Sequence, residues 1–133
     1  MNKLHKLIAI MDEANVGATF INSKEIISDI TECKFDEMYF IATKFESYFL
    51  VTEKDFEEAK TKTDGLHVVD INEYKNGISG IVRDVKRKYN IKRIGFEEEV
   101  VTVKFFERIK KKLNIKFAGV QLVHMSEVLK KYM

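Results

Sequence analysis

Leu4, Leu7, Ile8 and Met11 recur at i, i+3, i+4 and i+7, the spacing of one apolar face on a helix, and Asn15 and Gly17 stand where that helix would end. Ala18 to Ile21 reads as a short buried strand. Ser23 is placed to cap a short helix carrying Ile26, Ile27 and Ile30. Two apolar runs rich in aromatic and β-branched residues follow, Met38 to Ala42 and Tyr48 to Val51. The polar segment Thr43 to Ser47 separates them at hairpin distance, which predicts an antiparallel pair. Thr52 with Asp55 three residues on resembles a capping box for the helix that follows, and Asp64-Gly65 signals a turn. Leu66 to Ile71 is the next predicted strand. Ile78, Ile81, Val82, Val85 and Tyr89 share a helical face, with Gly77 and Gly80 loosening its start and Asn90 closing it. Ile91 to Phe96 predicts a strand. Thr102 caps a helix that turns Phe105, Phe106, Ile109 and Leu113 inward. Ile115 to Val120 predicts a last strand, and Ser126 opens a final helix holding Val128, Leu129 and Tyr132.

Helices thus alternate with strands for most of the chain, around one inserted hairpin. That order predicts a single-domain α/β sandwich built on a mixed sheet of about five or six strands. The length, 133 residues, fits one domain, and no low-complexity linker or repeat interrupts it.

Charge changes the picture more than composition does. Charged residues make up 33% of the chain, above the usual quarter or so, yet 23 basic against 21 acidic residues leave only +2. A nucleic-acid-binding domain carries a larger and more clustered excess, so that class is disfavoured. Two basic runs, Lys86-Arg87-Lys88 and Lys110-Lys111-Lys112, fall at helix C-terminal ends, where cations offset the helix dipole; a patch for an anionic partner is the alternative reading. No window approaches about 18 uninterrupted apolar residues, so no membrane span is expected. The N-terminus lacks a signal-peptide pattern, and the single cysteine, Cys33, suits a reducing compartment. A cytoplasmic location is the expectation.

The residues assemble no recognisable catalytic site. His5, His67 and His124 show no metal-ligand spacing, and His67 reads as a residue that packs or faces solvent. Cys33 has no local partner that would activate it. Gly77-Ile78-Ser79-Gly80 matches neither a nucleophile elbow nor a phosphate loop. The run Glu97-Glu98-Glu99 reads as a strand-to-helix loop whose acids lie just before the helix start at Thr102; three consecutive carboxylates without further oxygen ligands make a poor cation cage.

Four stretches, in order, resemble a known family. The opening helix and strand run into Asn22-Ser23-Lys24-Glu25-Ile26-Ile27, in the place of a segment such as S-P-E-N-I. The hairpin is followed by Thr52, Glu53, Phe56, Glu58 and Ala59, similar to T-D-x-R-Y-x-E-Q-A. Ile94-Gly95-Phe96-Glu97-Glu98, then Thr102, Phe105 and Ile109, resemble I-G-F-E-E-x-x-x-T-x-x-x-Y-x-x-L. The closing VQLVHMSEVLKKYM resembles the segment that leads toward a second domain. The family is the creatinase/prolidase N-terminal domain.

The resemblance implies a three-layer-type α/β sandwich with a ribonuclease H-like motif, in which Gly95, Phe96, Glu97, Glu98 and Thr102 form a structural family motif. It implies the non-catalytic part of an Xaa-Pro dipeptidase or aminopeptidase. A following catalytic domain would hold two divalent metals, manganese or cobalt, through two Asp, one His and two Glu; residues 1–133 would hold none. Family N-terminal domains dimerise and shape the partner subunit's pocket for an Xaa-Pro peptide. The expected pocket loop here is Thr31, Glu32, Cys33, Lys34, Phe35 and Asp36. At that place Y-L-T-G-F appears as Asp29-Ile30-Thr31-Glu32-Cys33, which removes the glycine that reaches positive φ most easily, and Asp55 replaces the Arg of D-x-R-Y. A stand-alone binding or regulatory module of the same fold is the alternative.

Overall fold

A computed structural model describes residues 2–113 and 120–133. Helix α1 (Asn2–Ala14) ends at Asn15, which takes a left-handed φ of 56°, and leads into β1 (Ala18–Ile21). Helix α2 (Lys24–Thr31) and the hairpin β2 (Met38–Thr43) and β3 (Tyr48–Val51) follow. A 3₁₀ turn (Glu53–Asp55) precedes α3 (Phe56–Lys62), and β4 (His67–Asp70) is followed by a second such turn (Ile71–Glu73). Helix α4 (Gly77–Lys88), β5 (Arg93–Phe96), α5 (Val103–Leu113), β6 (Gln121–His124) and α6 (Ser126–Tyr132) complete the described chain.

The six strands form one sheet in the order β4-β3-β2-β1-β5-β6. The β1–β2 and β2–β3 pairs are antiparallel, whereas β1–β5, β3–β4 and β5–β6 are parallel, so the sheet is mixed. Alternation along each strand divides the core into two layers. Ile21, Phe40, Ala42, Phe49 and Val51 meet Leu7 and Met11 of α1, Ile27 of α2, Ala59 of α3 and Leu129 of α6 on one face. Ala18, Phe20, Ile41, Tyr48 and Leu50 meet Ile81, Val82 and Val85 of α4 and Ile109 and Leu113 of α5 on the other. Because helices cover both faces, the central strands are apolar on both sides and read as continuous runs rather than alternations. Phe20, Phe40, Phe49 and Leu50 are fully buried there.

Several local expectations are corrected. Thr52 makes no side-chain cap; Glu53 N–H instead donates to Asn72 Oδ1 at 2.7 Å, so a residue from the turn after β4 takes the role given to a capping box. Ser23 stands at the start of α2 but makes no side-chain cap either. The strand drawn from Ile91 begins at Arg93, and the one drawn from Leu66 to Ile71 is confined to His67–Asp70. Asp70 Oδ1 accepts from Asn72 N–H at 2.9 Å, which turns the chain out of the sheet before Ile71 can extend it. Most of the strand expected at Ile115 to Val120 lies outside the described residues; β6 occupies Gln121–His124. Phe105 and Phe106 are only half-buried, and Tyr132 faces solvent.

Candidate functional site

The run after β5 is a tertiary junction. Glu97 is 4% exposed and its Oε1 accepts two amide bonds, from Asn22 at 2.6 Å and Ser23 at 2.8 Å. Those donors come just ahead of α2, so Glu97 anchors the chain at the entry to that helix from a distant strand end. Burial holds its carboxyl above the usual carboxylate range, against the opposing pull of the two amides, with Glu98 adding a smaller upward push. Glu98 Oε1 accepts from Ser126 N–H at 2.9 Å, Glu99 N–H donates to Ser126 Oγ at 3.0 Å, and Lys130 Nζ lies 2.8 Å from Glu99. Partial burial acts to raise the Glu98 carboxyl, but hydrogen bonds at Ser126 and the nearby His124 outweigh it and leave it low. The acids therefore serve the starts of α2 and α6, not the α5 start they precede in sequence; Thr102 Oγ1 accepts from Phe105 N–H at 3.1 Å and caps α5 itself.

Gly95 sits in the same junction, paired with Thr19 across β1 and β5. A Cβ there would lie 2.6 Å from Met125 Cγ and 2.9 Å from Thr19 Oγ1, so the close passage of α6 over the sheet requires glycine. Phe96 is buried, stacked on Phe106 with ring centroids 4.7 Å apart.

The segment Thr31 to Asp36 alternates. Thr31, Cys33 and Phe35 are buried, and Glu32, Lys34 and Asp36 are exposed. Thr31 Oγ1 donates to Ile27 O at 2.8 Å and accepts from Cys33 N–H at 3.2 Å. Glu32 closes α2 with φ of 61°, its N–H donating to Ser28 O at 2.8 Å, so a non-glycine residue carries the left-handed turn where the related motif has glycine. Burial raises the Cys33 thiol above its ordinary value, against the opposing pull of its contact with Thr31. Phe35 stacks on Phe49 at 6.2 Å. Three charged side chains are thus presented outward from a segment anchored by three buried ones.

Sequence reasoning missed a polar cluster at the opposite side of the hairpin. Glu46 faces His67 Nδ1 at 3.2 Å, Tyr89 OH at 3.3 Å and Lys88 Nζ at 3.7 Å, and the Tyr48 and Tyr89 hydroxyls are 2.8 Å apart. Slight desolvation would raise the Glu46 carboxyl, but His67, Lys88 and Tyr89 together lower it. His67 is half-exposed and lies within hydrogen-bond distance of Glu46. No local spacing signals this cluster, because its members come from the hairpin link, from β3 and β4, and from the end of α4.

The second basic run lies in the last turn of α5. Lys110 is near Glu107 at 3.6 Å, while Lys111 and Lys112 border a cleft of about 720 Å³ between α4 and α5. Among the described residues, no three His, Cys, Asp or Glu side chains converge as metal ligands. No described helix is long and apolar enough to cross a membrane.

A sheet of this order with helices on both faces defines a three-layer α/β domain. The family described as the creatinase/prolidase N-terminal domain matches residues 3–132, and the chain belongs to that family. A search of curated proteins returned no match. Among solved structures, the chain resembles the N-terminal domain of the cytoplasmic peptidase PepQ from Mycobacterium tuberculosis H37Rv, with a TM-score of 0.84 and 13% identity over 99% of this chain and 98% of that one. It also resembles an Xaa-Pro dipeptidase from Bacillus anthracis, with a TM-score of 0.82 and 17% identity over 98% of this chain and 35% of that one. The prolidase from Pyrococcus horikoshii OT3 gives a TM-score of 0.75 and 23% identity over 98% of this chain and 34% of that one. The chain therefore spans about a third of the length of these last two proteins. These likenesses are likenesses of fold.

Proposed function

We propose that the chain is the auxiliary, non-catalytic domain of an Xaa-Pro dipeptidase- or aminopeptidase-like metallopeptidase of the cytoplasm. It contributes to a homodimer and narrows the partner subunit's pocket around an Xaa-Pro peptide. The carrying observation is the family match over residues 3–132, together with the fold shared across nearly the whole length of an isolated peptidase N-terminal domain. The segment 31–36 supports the pocket role chemically: Glu32, Lys34 and Asp36 are outward charges on a short, anchored segment, suited to positioning a small zwitterionic peptide rather than to bond chemistry. The two divalent metals, manganese or cobalt, belong to the covalently following catalytic domain.

The reading frame beyond Met133 tests this directly. The expected continuation is a domain of roughly 220 residues or more carrying the two Asp, one His and two Glu ligands. A stop codon immediately after Met133 overturns the proposal. In the complete enzyme, Lys34→Glu and Asp36→Lys are expected to raise KM for Xaa-Pro dipeptides with kcat little changed; unaltered KM removes the pocket role. The purified chain alone, given manganese, is expected to hydrolyse no Xaa-Pro substrate, and metal-dependent turnover by a clean sample would contradict the non-catalytic assignment.

A stand-alone binding module of the same fold is the second reading. The cationic cleft between α4 and α5 favours it, because that cleft gathers four cations with no carboxylate paired to them among the described residues.

A further inference from the structure

The cleft between α4 and α5 collects four cations, Lys75, Arg108, Lys111 and Lys112, and one carboxylate, Glu37, around about 720 Å³. Among the described residues, none of the four forms an ion pair, although six Lys or Arg side chains elsewhere pair with carboxylates. Residues 114–119 contain no Asp or Glu that would neutralise them. Glu37 is engaged otherwise, accepting from the Tyr39 hydroxyl at 3.0 Å.

The floor is aromatic. Tyr39 and Phe105 both line the cleft, with their rings 6.4 Å apart and 18° from parallel, and Phe20 backs both at 6.0 and 5.4 Å. Burial, with smaller help from Glu37, pushes the Tyr39 hydroxyl up to about 12, so the ring stays neutral. Lys111 and Lys112 offset the dipole at the C-terminal end of α5, but that leaves the repulsion among cations sharing one cleft without a paired carboxylate to relieve it. A polyanion entering the cavity relieves that repulsion, and the cavity walls focus the field on it. The volume lies within the roughly 300–1,000 Å³ of small-ligand pockets. A single carboxylate would answer only one of the four cations, whereas a chain of phosphates answers several. The aromatic floor is suited to a flat ring.

We propose that this cleft binds a small phosphorylated ligand bearing an aromatic ring, of the nucleoside di- or triphosphate class. The phosphates meet Arg108, Lys111, Lys112 and Lys75, and the ring lies against Phe105 and Tyr39. Nucleic acid is disfavoured, because the net charge of +2 leaves little basic surface to follow a longer strand.

Calorimetric titration of the 133-residue chain with adenosine triphosphate, adenosine monophosphate, tripolyphosphate and single-stranded DNA tests the proposal. Adenosine triphosphate is expected to bind more tightly than the monophosphate, with affinity falling as salt screens the cleft. The double substitution Arg108→Gln with Lys112→Gln should weaken it by about tenfold or more, with the unliganded melting temperature unchanged. Phe105→Leu should weaken adenosine triphosphate but leave tripolyphosphate unaffected, while Lys86→Gln, on the far end of α4, should change neither. Absence of binding at low salt, binding indifferent to the double substitution, or tighter binding of DNA than of the triphosphate each overturns the proposal.

Discussion

The two clusters of like charge in this domain have opposite fates. At the β5–α5 junction, three consecutive acids are each engaged: Glu97 by the amides ahead of α2, Glu98 and Glu99 by the start of α6 and Lys130. At the α4–α5 cleft, four cations share one cavity and form no ion pair among the described residues. The first arrangement is satisfied internally and stabilises the fold. The second has no carboxylate partner among those residues; Lys111 and Lys112 favour the end of α5 slightly through the helix dipole, and the charge stays available to a ligand. Bonding partners, rather than the density of like charge, separate a structural cluster from a binding surface.

Substitutions should divide along that line. The largest effect is expected at Glu97. Replacing it by Ala strands two enclosed amide N–H groups and should cost about 3 kcal/mol, measured by urea unfolding; a loss under about 1 kcal/mol would place the junction among ordinary surface contacts. Gly95→Ala drives a methyl group into Met125 and the Thr19 hydroxyl and should cost about 2 kcal/mol by the same measurement. A change near zero would show that α6 lifts from the sheet without penalty.

Next in size is a difference in pH response. The Glu97 carboxyl is raised on folding, so its contribution is present below the ordinary carboxylate range and is lost as pH rises through its folded value. The Glu98 carboxyl is lowered, so its contribution is present above that range and is lost as pH falls through its folded value. Glu97→Gln should therefore make stability climb more steeply with pH than in the parent, and Glu98→Gln should flatten the climb. Unfolding curves between about pH 4 and pH 7 read both, and slopes altered in the same direction would refute the assignment. Smallest of all, Arg108→Gln with Lys112→Gln should move unfolding free energy by no more than about 0.5 kcal/mol. A larger loss would mean that the cleft is structural after all.

Much of the fold was readable locally. The turns at Asn15 and Asn90, which adopt φ of 56° and 53°, lie where the helical stripes break. The hairpin pairs Met38 with Val51 and Ile41 with Tyr48, as two apolar runs around a short polar link require. These features depend on residues within one or two turns of each other, where periodicity and side-chain type act directly. Caps were less legible. Thr102 works as expected, but Ser23 and Thr52 make no side-chain cap: Asn72 takes the Glu53 amide at the second start, and Glu97 instead holds the two amides that lead into α2.

The sequence by itself determined the alternation of helices and strands, the mixed sheet and the family motif around Gly95 and Glu97. Only the tertiary structure decided what those residues do. Placing β1 between β2 and β5 brings Glu97 beside amides 74 and 75 residues away. The same layering brings Tyr39 of β2, Lys75 of the turn before α4 and Arg108 of α5 to one cavity. Local patterns carry no record of such meetings, since they arise from sheet order and helix packing.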